Sequence, residues 1–398
     1  MAGAARITND VGLAEQVAQD AFVAATEQWP RDGVPDRPGA WLLTVARRRA
    51  VDLVRRDINE RRKYDVLSRE ADGNEEMEMD LEELADGYIE DSLLRLMFVC
   101  CHPVLSTESQ VALTLRLLGG LSTHEIARAQ LATDATVAQR ISRAKRTLRT
   151  SGVAFEHPDS TERTERLASV LAVIYLVFNE GYSATTGADW MRPTLCEEAL
   201  RLGRMLCALT PEVGEVHGLS ALMELQASRF DARVDPEGRP VLLLDQDRRL
   251  WDRLLVARGL DDLDRAISLG GGPYTVQAAI AACHARASRA QETDWTEIAG
   301  LYDALARLSP SPVTELNRSV AHWMAFGPAA GLGVAEPLRH DPRLAGYHLL
   351  PSVLGEMLAE AGRVEDARSE LGRALRMAAN DADRRVLQQK LDRLDPPG

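Results

Sequence analysis

The chain has 398 residues, 45% hydrophobic, 27% charged and only 5% aromatic, with a formal charge of −13. This is an ordinary globular composition on a chain too long for one core, so two or three domains are expected. No window approaches the roughly 20 unbroken apolar residues of a membrane span, and the first residues lack a secretion-signal layout, so neither a membrane protein nor a secreted one is expected.

Apolar residues recur at spacings of three and four almost throughout, and strict alternation is missing, which predicts an all-α protein. Five cysteines at 100, 101, 196, 207 and 283 form no CxxC pair. Reduced thiols in a cytoplasmic protein are expected.

In chain order, residues 9 to 63 read as two or three short helices broken by the Pro/Gly-rich loop 29–39, "WPRDGVPDRPG". Within them "AWLLTVARRRAVDLVRR" (40–56) puts five arginines on one amphipathic run. Leu42, Ala46, Ala50, Leu53 and Val54 form its apolar stripe; Arg48, Arg55 and Arg56 share the other sector with Asp52, which partly neutralises it. Residues 40–63 carry eight bases and three acids, a net +5. Residues 65–92 then carry twelve acids against one base, a net −11, and read as an acidic linker. Residues 93–150 return to eight bases and three acids, again +5. Two basic islands flank an acidic strip, so overall acidity does not exclude a polyanionic partner.

The second island is the more informative. "TESQVALTLRLLGG" (107–120) opens with Thr107 and Gln110 at capping-box spacing and stops on two glycines. Ser122 and Glu125 form a second such box, and Thr133 is expected to cap the helix "DATVAQRISRAKRTLRT". Two helices joined by a short turn have the helix-turn-helix layout. Val137, Ile141, Ala144 and Leu148 make the inward stripe of the last helix; Thr136, Gln139, Arg140, Arg143 and Arg146 face out. Gln and Arg can pair with base edges in a major groove, and further Lys and Arg can neutralise phosphates.

"FVCCHPVLS" (98–106) carries two cysteines and a histidine in a row, but successive helical side chains point about 100° apart. A packed core is expected there rather than a metal site. Beyond residue 153 the chain stays helical, broken by "NEGYSATTGADWMRP" (179–193), "DARVDPEGRP" (231–240) and "SLGGGPY" (268–274). Asn179, Glu180, Tyr182, Asp189 and Arg192 could line a small pocket, or serve as helix-end punctuation and buried polar pairs. Gly327 and Gly362 lie 35 residues apart inside similar stretches, close to the ~34-residue period of tetratricopeptide helix pairs. "DWTEIAGLYDAL" (294–305) is expected to begin a further helix. No nucleophile–base spacing, phosphate-binding glycine loop or HExxH is present, so no enzyme activity, metal or cofactor is expected.

Together "AEQVAQDAFVAATEQWP", "PGAWLLTVARRRAVDLVRR", the acidic linker and "LSTHEIARAQLATDATVAQRISRAKRTLR" resemble a bacterial extracytoplasmic-function (ECF) sigma factor. "VFNEGYSA", "DQDRRLWD" and the helical tail are similar to one subgroup with a long C-terminal tetratricopeptide-like extension. The resemblance implies region 2 over 1–64, short at its start, and the linker over 65–92. It implies region 4 over 93–152, a helical module over 153–270, and helical repeats over 271–398. It places Trp41, Thr44, Arg47 and Arg48 at the minus-ten element, with the loop 30–39 receiving a flipped base, and Asp20, Ala21 and Phe22 on the polymerase clamp. For the minus-thirty-five element it points to Ala138, Gln139, Ser142 and Arg143, with Arg140 and Lys145 on phosphates. Ala138 departs from the basic or polar side chain many members carry there. The implied partners are core RNA polymerase, at clamp and flap, and promoter DNA. The C-terminal extension is expected to touch regions 2 and 4 or the polymerase. Besides a sigma factor, the residues leave open a one-component helix-turn-helix regulator with a helical sensor, a helical scaffold, and an enzyme on the middle module.

Overall fold

The computed structural model describes residues 2–8, 10–64, 85–130, 132–153, 160–182, 192–235, 241–378 and 381–394. Most of the acidic linker, and Asp189, lie outside the described residues, as do the side chains of Arg55 and Arg56. Among the described residues the elements are α-helices and short 3-10 turns, so the fold is all-α. Contacts divide the chain into two compact units, residues 1–184 with 191–209 and residues 185–190 with 210–398.

The first unit begins with α1 (Ala2–Thr8), α2 (Val11–Asp32) and α3 (Pro38–Tyr64). Asp10 caps α2, accepting from the N–H groups of Gly12 (2.7 Å) and Leu13 (3.1 Å). Ala14, Val17, Ala21, Ala24 and Ala25 are buried along α2, and Ala46 and Ala50 along α3. These small side chains let the two helices approach closely. The break expected over 29–39 is shorter than the sequence suggests: α2 continues through Trp29 and Pro30. A proline in the last turn forfeits one hydrogen bond, and the helix stops only where Gly33 (φ 85°) donates back to the Trp29 carbonyl.

Helix α4 (Ala85–Cys100) is the centre of this unit. Leu94, Leu96, Met97, Phe98, Val99 and Cys100 are all buried, so the C-terminal half of the helix is apolar on most sides, as a surrounded segment must be, and Cys101 just beyond it is buried too. It packs against α1, α5 (Thr107–Leu117), α8 (Ser160–Tyr182) and α9 (Pro193–Leu209). The two cysteines therefore belong to the core, where burial pushes the Cys101 thiol up to about 12. His102 accepts from the Val104 N–H through Nδ1 at 3.1 Å. At α5 the expected capping box is displaced. Ser106 is the N-cap residue, and Gln110 turns inward to donate to the carbonyls of Cys101 and His102.

Helices α8 and α9 form a hairpin closed by the "NEGY" motif. Glu180 pairs with Arg192 at 2.5 Å, and the Arg192 N–H donates to the Gly181 carbonyl at 2.7 Å. Gly181 is required there, because a Cβ would lie 2.7 Å from Cys196 Sγ and 2.9 Å from the Arg192 carbonyl. Of the residues weighed as a pocket, Glu180 and Arg192 thus act as a buttress of the hairpin. Arg201 of α9, itself paired with Glu198, donates to the Leu118 carbonyl after α5.

In the second unit α10 (Gly214–Ala227) is buried on nearly every face, against α11 (Arg253–Ser268) and α12 (Pro273–Arg286). "DQDRRLWD" is a staple. The buried Arg248 donates to the carbonyls of His284 (2.8 Å) and Ala287 (2.6 Å) and to Thr293 Oγ1 (2.9 Å), with its guanidinium over the Trp251 ring. Asp252 caps α11. "GGGPY" is a turn for which Gly270 (φ 94°) and Gly271 (φ 56°) supply left-handed backbone. Glu215 then caps α12 from outside, accepting from the N–H groups of Tyr274 and Thr275, both at 3.1 Å. Losing this remote cap in Glu215→Ala is expected to cost about 1 kcal/mol, read as a lower urea midpoint with an unchanged slope.

The tail holds α13 (Trp295–Leu308), α14 (Pro312–Phe326), α15 (Pro328–Ala335), α16 (Leu349–Glu360), α17 (Val364–Met377) and α18 (Asp381–Asp392). Gly327 (φ 88°) and Gly362 (φ 77°) turn the chain between α14 and α15 and between α16 and α17. Leu316, Leu332, Leu350, Leu354, Met357 and Leu358 fill the core between these pairs.

Candidate nucleic-acid interface

The remaining helices of the first unit, α6 (Thr123–Ala129) and α7 (Asp134–Thr150), pack on each other and on α5. The second capping box forms as its spacing predicts. Ser122 N donates to Glu125 Oε2 at 2.7 Å, and Glu125 N to Ser122 Oγ at 3.2 Å. Ser122, through its hydroxyl and its backbone N–H, holds the Glu125 carboxyl below its usual range. Thr133 caps α7 by accepting from Thr136 N at 3.2 Å. Two capped starts and one short turn fix the angle between α6 and α7, the feature a helix-turn-helix needs to present its second helix.

Helix α7 buries Val137, Ile141, Ala144 and Leu148 and nothing else, the expected stripe. On the other side Thr136, Ala138, Gln139, Ser142, Arg143 and Arg146 are exposed. Arg143 and Arg146 make no ion pair among the described residues, so their guanidinium groups project into solvent unspent. Thr136 shares a hydrogen bond with Thr133 Oγ1 at 2.8 Å, and Arg140 donates to Gln130 Oε1 at 3.1 Å. Lys145 differs from the rest. It is half-buried and paired with Glu15 of α2, which also takes Arg116 Nε at 2.8 Å. Burial pushes the Glu15 carboxyl up, but Lys145 and Arg116 outweigh it and hold the group below its usual range.

On α3, Thr44, Arg47 and Arg48 are exposed. Thr44 donates to the Ala40 carbonyl at 2.9 Å, leaving its methyl and an acceptor outward. Trp41 is half-buried and stands edge-on to Trp29, ring centroids 5.5 Å apart, a rigid aromatic support at the start of the helix. The structure thus brings Trp41, Thr44, Arg47 and Arg48 onto one helix and gathers Gln139, Ser142, Arg143 and Arg146 onto another. Of the segment expected from the sequence to face the clamp, Phe22 is 61% exposed and its neighbour Val23 53%, whereas Ala21 is buried inside the α2–α3 packing. Asp20 lies 3.7 Å from Arg49. Sequence reasoning missed Val23, a large apolar side chain left in water beside Phe22. It also missed Glu15, whose partner lies 130 residues away.

The arrangement agrees with comparison to known proteins. Residues 1–59 match Sigma-70 region 2, residues 95–148 match Sigma-70 region 4, and residues 166–267 match a family of unknown function (DUF6596). Over 150 residues, 36% of this chain and 75% of the relative, the sequence is 32% identical to "ECF RNA polymerase sigma factor SigK" of Mycobacterium ulcerans (strain Agy99). Over 393 residues, 98% of this chain and 92% of the relative, it is 45% identical to "Uncharacterized protein R00370" of Rhizobium meliloti (strain 1021). With a region 2 helical pair, a region 4 helix-turn-helix and a helical continuation matched in that order, the chain belongs to the ECF group of RNA polymerase sigma factors and carries a C-terminal extension.

Proposed function

We propose that the chain is a dissociable promoter-specificity subunit that performs no chemistry of its own. Region 2 docks on the polymerase clamp through the Asp20–Phe22 segment and captures the melted minus-ten element. There Trp41 supports the edge of the melted region, and Thr44, Arg47 and Arg48 hold the displaced strand. Unpairing costs a few kcal/mol per base, which stacking and backbone charge offset. Region 4 lies in the minus-thirty-five major groove beneath the flap. Gln139, Ser142 and Arg143 meet base edges, and Thr136, Arg140, Lys145 and Arg146 fix the register on phosphates.

The observation that carries this reading is the division of α7 into a fully buried apolar stripe and an opposite face of free Gln and Arg side chains. The extension acts on the same machinery: its first hairpin hydrogen-bonds the turn after α5 through Arg201, which supports a regulatory role next to region 4. The helix pairs of the tail offer a surface for a peptide partner.

Selection of random duplexes on polymerase reconstituted with the chain tests this. A two-block motif with a fixed spacer, recovered only in the presence of polymerase, is the expected result. A single block recovered by the chain alone would instead support a one-component helix-turn-helix regulator.

A further inference from the structure

The promoter reading gives no task to "DQDRRLWD" (245–252), yet this motif leaves several buried polar groups unmet. Its Arg248 is 5% exposed. A guanidinium has five N–H donors. Three are used here, two on the carbonyls of His284 and Ala287 and one on Thr293 Oγ1. Among the described residues the Nε–H meets no acceptor, and no carboxylate forms an ion pair with the group. Burial lowers the Arg248 pKa, the neighbouring Arg229 charge adds to this, and Glu292 only partly opposes them. Three more buried atoms nearby lack a hydrogen bond among the described residues: Gln246 Oε1, Trp251 Nε1 and His284 Nδ1. The Trp251 ring lies 5.3 Å from the Arg248 guanidinium, and His284 supplies one of the carbonyls that Arg248 holds. Burial, then Arg229 and Arg248, bring the His284 pKa down to about 4, so that ring is neutral near pH 7. The local positive charge therefore belongs to arginine. A buried cation without a counter-ion, beside orphaned polar atoms, is costly to keep.

A groove opens at the same place. Gln246, Asp247, Arg248, Arg249, Ser288 and Arg289 line it, with Leu244 and Ala290 as its apolar part, and it encloses about 430 Å³. Small-molecule sites span roughly 300–1,000 Å³. Three guanidinium groups stand against one carboxylate, a net +2. Asp247 holds Arg249, accepting from Nε at 2.9 Å and from Nη2 at 2.7 Å, so that pair is balanced. The surplus rests on Arg248 and on Arg289, which is exposed and makes no ion pair among the described residues. Guanidinium groups match planar carboxylates and phosphate oxygens, each accepting two parallel hydrogen bonds. All of these residues belong to the second unit.

We propose that this groove binds a small organic anion bearing a carboxylate or phosphate group, with Arg248 as its buried cation and Arg289 as its exposed one. The extension is then a receptor for a solute as well as a helical array. Arg248 already staples residues 284–293 to the motif through three donors. An anion in the groove neutralises the charge that the staple leaves uncompensated. Occupancy therefore tightens the two segments that the staple joins.

Amide hydrogen exchange of the full-length chain tests this, with sodium phosphate or sodium succinate titrated in at an ionic strength held constant by sodium chloride. The expected result is a saturable slowing of exchange confined to peptides covering 241–252 and 284–293. The more effective of the two anions names the ligand's charged group. In Arg289→Gln the concentration giving half the effect is expected to rise about tenfold, the loss of one charge-assisted contact. In Asp247→Asn, which removes the carboxylate from the groove, that concentration is expected to fall. Neither side chain is buried, so both variants keep the fold. Exchange unaltered by both anions overturns the proposal. So does slowing spread evenly over the chain without saturation, which is a general salt effect. An Arg289→Gln titration that matches the unaltered chain overturns it as well.

Discussion

A chain ending at Leu209 is expected to unfold cooperatively as a stable protein, while one ending at Val153 is expected to lose its tertiary packing. The matched family boundaries place region 4 at residues 95–148, which suggests cutting soon afterwards. The packing argues otherwise. Helix α4, whose C-terminal half is apolar and buried, is covered by α8 and α9 as well as by α1 and α5. The covering hairpin brings Val170, Leu171, Val173, Ile174, Val177 and Phe178 into the same core. Exposing a buried Leu, Val or Phe costs about 1.5–3 kcal/mol, so uncovering three or four of them consumes a typical stability of about 5–15 kcal/mol. Near-ultraviolet circular dichroism and thermal unfolding of the two truncations check this. Equal transitions in both would show that the hairpin is a passive neighbour of region 4.

The second large effect concerns DNA. Arg143→Ala is expected to weaken binding of the cognate minus-thirty-five duplex by about 1–3 kcal/mol, roughly 5- to 150-fold, and to relax sequence preference at one position. The side chain is exposed, unpaired among the described residues and one turn beyond Gln139 on the face opposite the buried stripe. Little of its binding energy is then spent on breaking contacts within the free protein. Arg146→Ala, one turn nearer the C-terminal end, is expected to lower affinity for any duplex and to flatten the salt dependence by about one phosphate's worth. A loss for Arg143→Ala that is the same on scrambled DNA would make that residue a phosphate contact too.

Where local rules govern, the sequence was readable. The stripe Val137–Ile141–Ala144–Leu148 follows from the helical period alone, and the Ser122–Glu125 box and the Thr133 cap follow from side chains bonding their own backbone three residues on. Even so, local rules erred where tertiary demand was stronger. Gln110 has capping spacing from Thr107, but the buried carbonyls of Cys101 and His102 needed a donor, and an unmet buried carbonyl costs more than a cap contributes. Pro30 looks like a helix breaker, yet falls in the last turn, where little is lost. The least legible features join residues far apart in the chain. Nothing near Glu15 announces Arg116 or Lys145, and nothing near Arg201 announces Leu118. The basic face of α7 could be read from spacing; that its lysine, Lys145, is already engaged could not.

Transcription from selected promoter templates by core polymerase, with and without the full-length chain, probes the central claim most directly. The account predicts RNA starting at one defined position downstream of a two-block element, dependent on the chain and abolished by scrambling either block. Failure of the chain to bind core, or RNA whose start and amount are the same without it, would contradict the account.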